Sequence, residues 1–385
     1  MDHGTKIFRV FDIDIYLHYS WWLVFIILTW SLATGFFPAY FPALSVKEDW
    51  LIGVAAALLL FVSVLLHELS HSLVARAKKI KVDSITLFFF GGVAGISKED
   101  MKPSSEFLMA IAGPLFSLVL AGLFYLLFRW DGNVFVTAIS LYLYQLNLVL
   151  ALFNLVPGYP LDGGRAFRAL LYGYYHDLKK ATKIAAGAGK FVAAVLFFLG
   201  VFSLFAGLGN GLWFMLLGGF LYLIAGTSYE QVVIKETLSS IPLKSFSLVE
   251  LPLLSSDLTV KQFCTQSASS GKSLFLVQDG QFQGFVDLHL LGPMSLKLQG
   301  VLKLKQVAIP FSHFKPLQLK DNAYTAFKSF LEQQVDVLPL VDKKKNVGVL
   351  TREAVMNRLL FELKFTDPHL HHVIARMHRH LRRRR

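Results

Sequence analysis

The chain has 385 residues, of which 54% are hydrophobic and 35 are phenylalanine, and its formal net charge is +12. This composition is too apolar for a soluble protein of one domain, so it predicts a membrane part and a soluble part. The basic residues flank apolar segments, which indicates attraction to the lipid headgroups of a bilayer and argues against nucleic acid as a partner. The single cysteine, Cys264, excludes an intrachain disulfide and a metal site built from several thiolates.

Six apolar segments have the composition of transmembrane helices. They cover residues 19–35, 50–75, 106–128, 134–155, 185–206 and 211–225. The last segment is short but apolar throughout. The sequence therefore predicts a multi-pass α-helical membrane protein with about six spans.

The loops between these segments differ in charge. The second and fourth loops are basic and contain Arg76, Lys78, Lys79, Lys81, Lys98, Lys102, Arg165, Arg168, Lys179, Lys180 and Lys183. The first, third and fifth loops offer only Lys47 and Arg129. Because positive loops stay in the cytoplasm, we expect both termini to be cytoplasmic, in a plasma membrane.

The second segment contains the polar pattern His67-Glu68-Leu69-Ser70-His71. Ionisable residues at membrane depth are costly and usually mark function. On a helix, His67 and His71 project from the same face about one turn apart. That spacing suits two Zn²⁺ ligands, with Glu68 beside the metal as a candidate general base. The alternative is an amphipathic helix with water-facing histidines, but residues 62–66 offer no polar face.

Residues 82–96 predict a small β-hairpin between the second and third segments. Residues 82–90 resemble a strand, Gly91 and Gly92 indicate a turn or a close backbone approach, and residues 93–96 return as a second strand. Unpaired strand edges are not tolerated against lipid, so the hairpin must be buried in protein or face a wet cavity. An edge strand near a metal site could pair with an extended peptide. The alternative is a membrane-surface hairpin with no ligand.

Prolines and glycines interrupt the chain after the fourth segment. Two prolines and three glycines at positions 157–164 must end the helix and free several backbone groups. Within this stretch, Asp162 is an oxygen donor that could complete a zinc site with two histidines and leave a fourth position for water. It could equally be a solvated loop carboxylate or the N-cap of a following helix.

Charged residues return after about residue 228, and residues 237–365 contain a weak duplication. Each copy has the order strand, turn, strand and helix, with an earlier helix predicted at 260–267 and at 323–333. We therefore expect a cytoplasmic α/β tandem over residues 229–365, behind a membrane domain of residues 1–228. Residues 366–385 end in four arginines and predict a disordered basic tail.

Several motifs occur together in a specific order and spacing. They are His67-Glu68-Leu69-Ser70-His71, Phe90-Gly91-Gly92, Ala112-Gly113-Pro114, and Asn154 followed by Pro157, Pro160, Leu161, Asp162, Gly163 and Gly164. In this the chain resembles the site-2 protease family of intramembrane zinc metalloproteases, in its subgroup with a pair of C-terminal CBS domains. The match spans the second to fourth segments. Ser70 stands where the family often has glycine.

The resemblance implies a hydrolase that cleaves peptide bonds in or near the transmembrane segment of single-pass membrane proteins, in regulated intramembrane proteolysis. It implies that His67, His71 and Asp162 bind one Zn²⁺ per chain. Glu68 would be the general base, and a zinc-activated water would be the nucleophile.

The resemblance also assigns substrate-binding residues. Asn154 would orient the substrate backbone or the developing oxyanion. A substrate helix must unwind before cleavage, and the strand that contains Phe90, Gly91 and Gly92 would receive the unwound segment by β-addition.

The CBS resemblance is looser. CBS domains usually follow their second strand with a serine or threonine and, three residues later, an aspartate, which hold a nucleotide. The first copy has Asp287 and Leu290 at these positions, and the second has Thr351 and Ala354. Both ribose-binding carboxylates are missing, which argues against an adenine nucleotide as ligand. We expect a degenerate module that forms a homodimer or docks substrate.

Two alternatives belong to other classes of protein. A transporter regulated by a CBS tandem would need further ionisable residues along a transmembrane path, and the first, third, fifth and sixth segments offer almost none. A catalytically silent membrane scaffold would not need His67, Glu68, His71 and Asp162 together.

Overall fold

The structure is a computed structural model that describes residues 4–88, 91–96, 101–130, 132–207, 209, 211–246, 252–267, 274–279, 282–291, 300–342, 345–368 and 370–375. The chain divides into two compact units, Met1–Val232 and Val233–Arg385.

Six helices of the described chain are long and apolar enough to cross a membrane, which confirms the predicted number of spans. In the first span, α1 (Ser20–Ser31) continues through a π-helical stretch (Leu32–Phe36) into α2 (Phe37–Tyr40). The other spans are α3 (Val46–Ala77), α4 (Pro103–Arg129), α5 (Val134–Asn154), α7 (Leu178–Phe205) and α8 (Gly211–Ser239). A shorter helix, α6 (Asp162–Tyr175), follows α5.

Side-chain caps fix where three of the long helices begin. Ser45 forms a capping box with Glu48 at the start of α3, and Asn133 accepts a hydrogen bond from the N–H of Phe135 at the start of α5. Asp177 accepts from the N–H of Lys180, so α7 begins at Leu178 rather than at the predicted residue 185. The extra turns are lysine-rich, which a helix near a membrane surface tolerates because lysine side chains reach toward water.

The two faces of α4 differ in their surroundings. One face exposes large apolar side chains, as expected of a surface that contacts lipid: Leu115, Val119, Leu123 and Leu126. The opposite face is buried inside the protein and contains Met109, Gly113, Ser117 and Ala121. This helix therefore separates lipid from the interior of the first unit.

A four-stranded sheet belongs to the first unit and has the order β1 (Thr5–Val10), β2 (Ile13–Leu17), β3 (Val82–Phe88) and β4 (Gly91–Ile96). The β1–β2 and β3–β4 pairs are antiparallel, whereas β2 and β3 are parallel. Ile13, Ile15 and Ile85 are buried in one cluster with Met109 of α4. The N-terminal segment thus extends the predicted hairpin into a sheet that packs on the helices.

The second unit contains the predicted tandem. One sheet has the order β5-β6-β7-β8 and the other β11-β10-β9. The strands are β5 (Leu253–Ser255), β6 (Leu274–Asp279), β7 (Phe282–Asp287), β8 (Ile309–Pro310), β9 (Leu317–Gln318), β10 (Val337–Asp342) and β11 (Lys345–Thr351). The helices are α9 (Val260–Ser267), α10 (Leu288–Leu291), α11 (Leu304–Val307), α12 (Ala323–Gln333) and α13 (Arg352–Thr366), with 3-10 turns at Leu243–Ser245 and Phe311–His313.

Both copies show the predicted order of an early helix, two strands and a closing helix, so the fold class is confirmed. In the first copy, Phe263 of α9 packs edge-on against Phe275 of β6, with ring centroids 4.9 Å apart. In the second copy, Phe330 of α12 is fully buried. Most of the predicted basic tail, residues 376–385, lies outside the described residues.

Candidate active site

The two histidines of the polar pattern lie on one face of α3, and both are buried at 3% exposure. Their Nε2 atoms are 3.2 Å apart. The four-residue spacing on a helix accounts for this arrangement, because it places the second ring one turn after the first. Both rings thus offer a nitrogen to the same small volume.

Asp162 is the first residue of α6, and its carboxylate lies beside the histidines. Its Oδ2 is 3.2 Å from Nε2 of His67 and 3.1 Å from Nε2 of His71. The side chain is only 12% exposed, and Leu161 rather than Asp162 occupies the N-cap position of α6. Burial opposes ionisation, but the hydrogen bonds with His67 and His71 hold the pKa of Asp162 well below its ordinary value. The carboxylate is therefore ionised at neutral pH.

The three side chains fit a zinc ion in their donor chemistry. Each offers one ligand atom, and these atoms all lie within 4.8 Å of one another. Two imidazole nitrogens and one carboxylate oxygen are a known catalytic zinc set, with the fourth position left for water. His71 Nδ1 lies 2.6 Å from the carbonyl oxygen of Met109, which can only accept a hydrogen bond. Nδ1 of His71 therefore carries a hydrogen, and Nε2 would offer its lone pair to a bound zinc ion.

Glu68 is next to the first histidine and faces the same region. Its carboxylate interacts electrostatically with His71 and Asp162. The backbone of β4 passes close to it, since a β-carbon at Gly92 would lie 2.9 Å from Cδ and 3.2 Å from Oε1 of Glu68. Gly92 is thus a close backbone approach, one of the two alternatives that the sequence left open, and β4 brings a strand to the candidate base.

The other residues predicted to bind substrate are Gly91, Phe90 and Asn154. Gly91 begins β4 with a φ of 121°, and it pairs with Phe88 across the hairpin. Phe90 lies outside the described residues. Asn154 is the last residue of α5, and its Nδ2 donates a hydrogen bond to the carbonyl of Leu150 in the same helix.

Two residues near the site were not singled out from the sequence. Ser117 Oγ of α4 lies 2.9 Å from Nδ1 of His67. Arg165 Nη1 lies 3.7 Å from Oδ1 of Asp162, the carboxylate oxygen that does not face the histidines. The sequence contains one signal for Ser117: Met109, Gly113 and Ser117 are four residues apart, so they lie on one face of a helix.

Comparison with known proteins agrees with this geometry. The model of the family described as peptidase family M50 matches residues 55–136 and 133–199. The protein sll0528 of Synechocystis sp., named as a candidate zinc metalloprotease, is 37% identical over 267 residues, which cover 68% of this chain and 69% of the relative. Rip3 of Mycobacterium tuberculosis, named in the same way, is 31% identical over 373 residues, which cover 94% of this chain and 93% of the relative.

Parts of the chain are also similar to solved structures. The site-2 protease from Methanocaldococcus jannaschii is 30% identical, with a TM-score of 0.41 over 59% of this chain and 95% of that chain. The CBS domain of a bacterial CNNM/CorC family Mg²⁺ transporter is 14% identical, with a TM-score of 0.30 over 34% of this chain and 83% of that chain.

The six helices of spanning length and the M50 relatives make this a multi-pass membrane protein. Rip3 is similar over nearly the whole of both chains, so the relationship includes the second unit as well as the helices. The chain belongs to peptidase family M50, the site-2 proteases, and is a zinc metalloendopeptidase.

Proposed function

We propose that this protein cleaves peptide bonds in or near the transmembrane segment of single-pass membrane proteins, in regulated intramembrane proteolysis. The observation that carries the proposal is the position of the site. His67, Glu68 and His71 lie within α3, a helix of membrane-spanning length, and α6 adds Asp162 to them. A peptidase site on such a helix serves substrates that are themselves in the bilayer.

His67, His71 and Asp162 would hold one Zn²⁺ per chain. When bound, zinc lowers the pKa of water and polarises a carbonyl group. Glu68 then has the role of general base. Its carboxylate accepts a proton from the attacking water and delivers that proton to the amine nitrogen as the C–N bond breaks. The closeness of Glu68 to His71 and Asp162 supports this role.

We propose that the strand β4 contacts the substrate. It ends the described sheet order, so its outer edge has backbone groups that could pair with an extended segment. Its Gly92 approaches Glu68, which would place the paired backbone near the base. Phe90, Gly91 and Gly92 would form this contact, and Asn154 would orient the substrate backbone or the developing oxyanion.

The remaining assignments concern the whole chain. We propose a protease domain of residues 1–228, a CBS-like regulatory tandem of residues 229–365 and a basic tail of residues 366–385. The charge of the loops supports cytoplasmic termini in the cell membrane. The tandem would form a homodimer or dock substrate, without an adenine nucleotide.

A substrate panel tests the activity. Wild type and Glu68→Gln are co-expressed with tagged single-pass membrane proteins, and Glu332→Gln, an exposed residue of α12, controls for the loss of a carboxylate. We expect a fragment with wild type and Glu332→Gln that disappears with Glu68→Gln and with a zinc chelator. Identical fragments from wild type and Glu68→Gln would assign the cleavage to another enzyme. Stoichiometric zinc without any cleavage across the panel would favour the scaffold.

A further inference from the structure

One face of α4 lines the candidate zinc site. Met109, Gly113 and Ser117 are four residues apart, so they lie along a single side of the helix. His67 and His71 are also four residues apart and lie along the facing side of α3. Each histidine meets one polar group of this face, and Gly113 leaves room between them for the two rings.

The two histidines are held through the same ring atom. Nδ1 of His71 lies 2.6 Å from the backbone carbonyl of Met109, and Nδ1 of His67 lies 2.9 Å from the hydroxyl of Ser117. In both rings the other nitrogen, Nε2, points toward Asp162. The Nδ1 atom of each ring is therefore held by one polar group of α4, a main-chain carbonyl for His71 and a side-chain hydroxyl for His67.

We infer that Ser117 is a positioning residue, which accepts the Nδ1–H of His67 and thereby directs the lone pair of Nε2 at the metal. The inference rests on the zinc site of the proposed function. An imidazole that donates from Nδ1 has its tautomer and ring orientation fixed, and such partners of metal-binding histidines strengthen metal binding. Ser117 is fully buried, so water cannot replace its hydroxyl at no cost.

The bonding of other buried serines sets Ser117 apart from an ordinary packing residue. Ser63 and Ser72 of α3 donate to carbonyl groups of their own helix, at Leu59 and Glu68, as serines in apolar helices commonly do, and Ser63 also accepts a hydrogen bond from Asn147 of α5. The hydroxyl of Ser117 differs from both because it meets the ring nitrogen of a proposed zinc ligand on a neighbouring helix. Its position therefore serves the histidine.

Zinc binding by the full chain in detergent tests this role. We expect Ser117→Ala to weaken zinc binding by about 10- to 100-fold in a titration against a chelating dye. Ser117→Thr keeps the hydroxyl and should restore most of the affinity. Ser140→Ala removes a buried serine hydroxyl from α5 and should leave the affinity unchanged. The visible spectrum of the Co²⁺-loaded protein should change with Ser117→Ala and stay the same with Ser140→Ala.

A second measurement needs no substitution at Ser117. Nitrogen-15 NMR of histidine-labelled, zinc-loaded protein should show His67 with a hydrogen on Nδ1 and the metal on Nε2, the assignment being made by loss of the signal in His67→Gln.

Three results overturn the inference: equal zinc affinity of Ser117→Ala and wild type, a hydrogen on Nε2 of His67, or the absence of zinc binding by wild type. If wild type binds zinc but cleaves no substrate, the proposed function fails while the role of Ser117 stands.

Discussion

Gly113 lies where the backbone of α4 passes directly against the two histidine rings. A β-carbon at this position would lie 2.6 Å from Nε2 of His67 and closer still to Nε2 of His71. Real β-carbons do not come so close to other atoms, so an alanine must displace one or both imidazoles. These displaced nitrogens are the proposed zinc ligands.

We therefore expect Gly113→Ala to weaken zinc binding by about 5- to 150-fold, which corresponds to about 1–3 kcal/mol of overpacking. Gly122→Ala on the same helix is the matched control, because a β-carbon there meets nothing within 4 Å. Alanine also favours the helix, so Gly122→Ala should keep or raise the thermal midpoint. Zinc titration of both variants is the measurement. The same affinity in both variants would mean that the rings do not depend on this close approach.

Residue spacing predicts contacts within one helix better than contacts between helices. His67 and His71 are four positions apart, and the structure places their rings together. Asp162 is 91 positions from His71, so its residue type left a zinc ligand and a loop carboxylate equally open. Ser117 is an ordinary residue of an apolar helix until the position of α3 is known. The spacing of residues therefore predicts that the two histidines lie together, but it does not predict the contact of Ser117 with His67.

The segment between α5 and α6 is held against α7 by its backbone. The N–H of Tyr159 donates to the carbonyl of Ala185 at 3.1 Å. One turn later, a β-carbon at Gly189 would lie 2.8 Å from the nitrogen of Tyr159 and closer still to its oxygen. Because this segment leads into Asp162, its contact with α7 determines where α6 begins.

Gly189→Ala should therefore slow substrate cleavage by about 100-fold, since misplacing a reacting group by about 1 Å has an effect of this size. Gly187→Ala is the control on the same helix, because a β-carbon at Gly187 meets nothing within 4 Å. Substitutions at exposed positions usually change the free energy of unfolding by less than about 0.5 kcal/mol. The cleavage rate of Gly187→Ala should therefore stay within about twofold of the wild-type rate. Initial rates of fragment formation measure both effects. A normal rate with Gly189→Ala would show that the loop position tolerates movement.

A buried ion pair joins α6 to α4. Arg168 donates to the Oε1 of Glu106, and its guanidinium lies over the ring of Tyr159 at 5.1 Å. From the sequence, Arg168 is recognisable only as a basic loop residue, because residue type does not reveal a partner on another helix. The order of the strands in the first sheet could not be predicted for the same reason. The pairing of β2 with β3 joins distant parts of the chain, and alternating residues predict a strand but not its neighbour.

The orientation of the protein in the bilayer decides which side of a substrate is cut. The basic second and fourth loops predict that the end of α3 near Arg76 lies at the cytoplasmic face. His67 and His71 are within three turns of this end. Cleavage would then occur near the cytoplasmic leaflet, and the product released into the cell would come from the cytoplasmic part of the substrate.

Cysteine labelling tests this orientation in a Cys264→Ser background, which removes the single native thiol. Lys81→Cys lies in the second loop, where the native side chain is 78% exposed, and Gly132→Cys lies in the exposed third loop. We expect a membrane-impermeant maleimide to label Gly132→Cys in intact cells but to label Lys81→Cys only after permeabilisation. The reverse pattern would place the site near the outer leaflet, and the released fragment would then be extracellular. Because each cysteine is the control for the other, an inversion cannot be confused with poor reactivity.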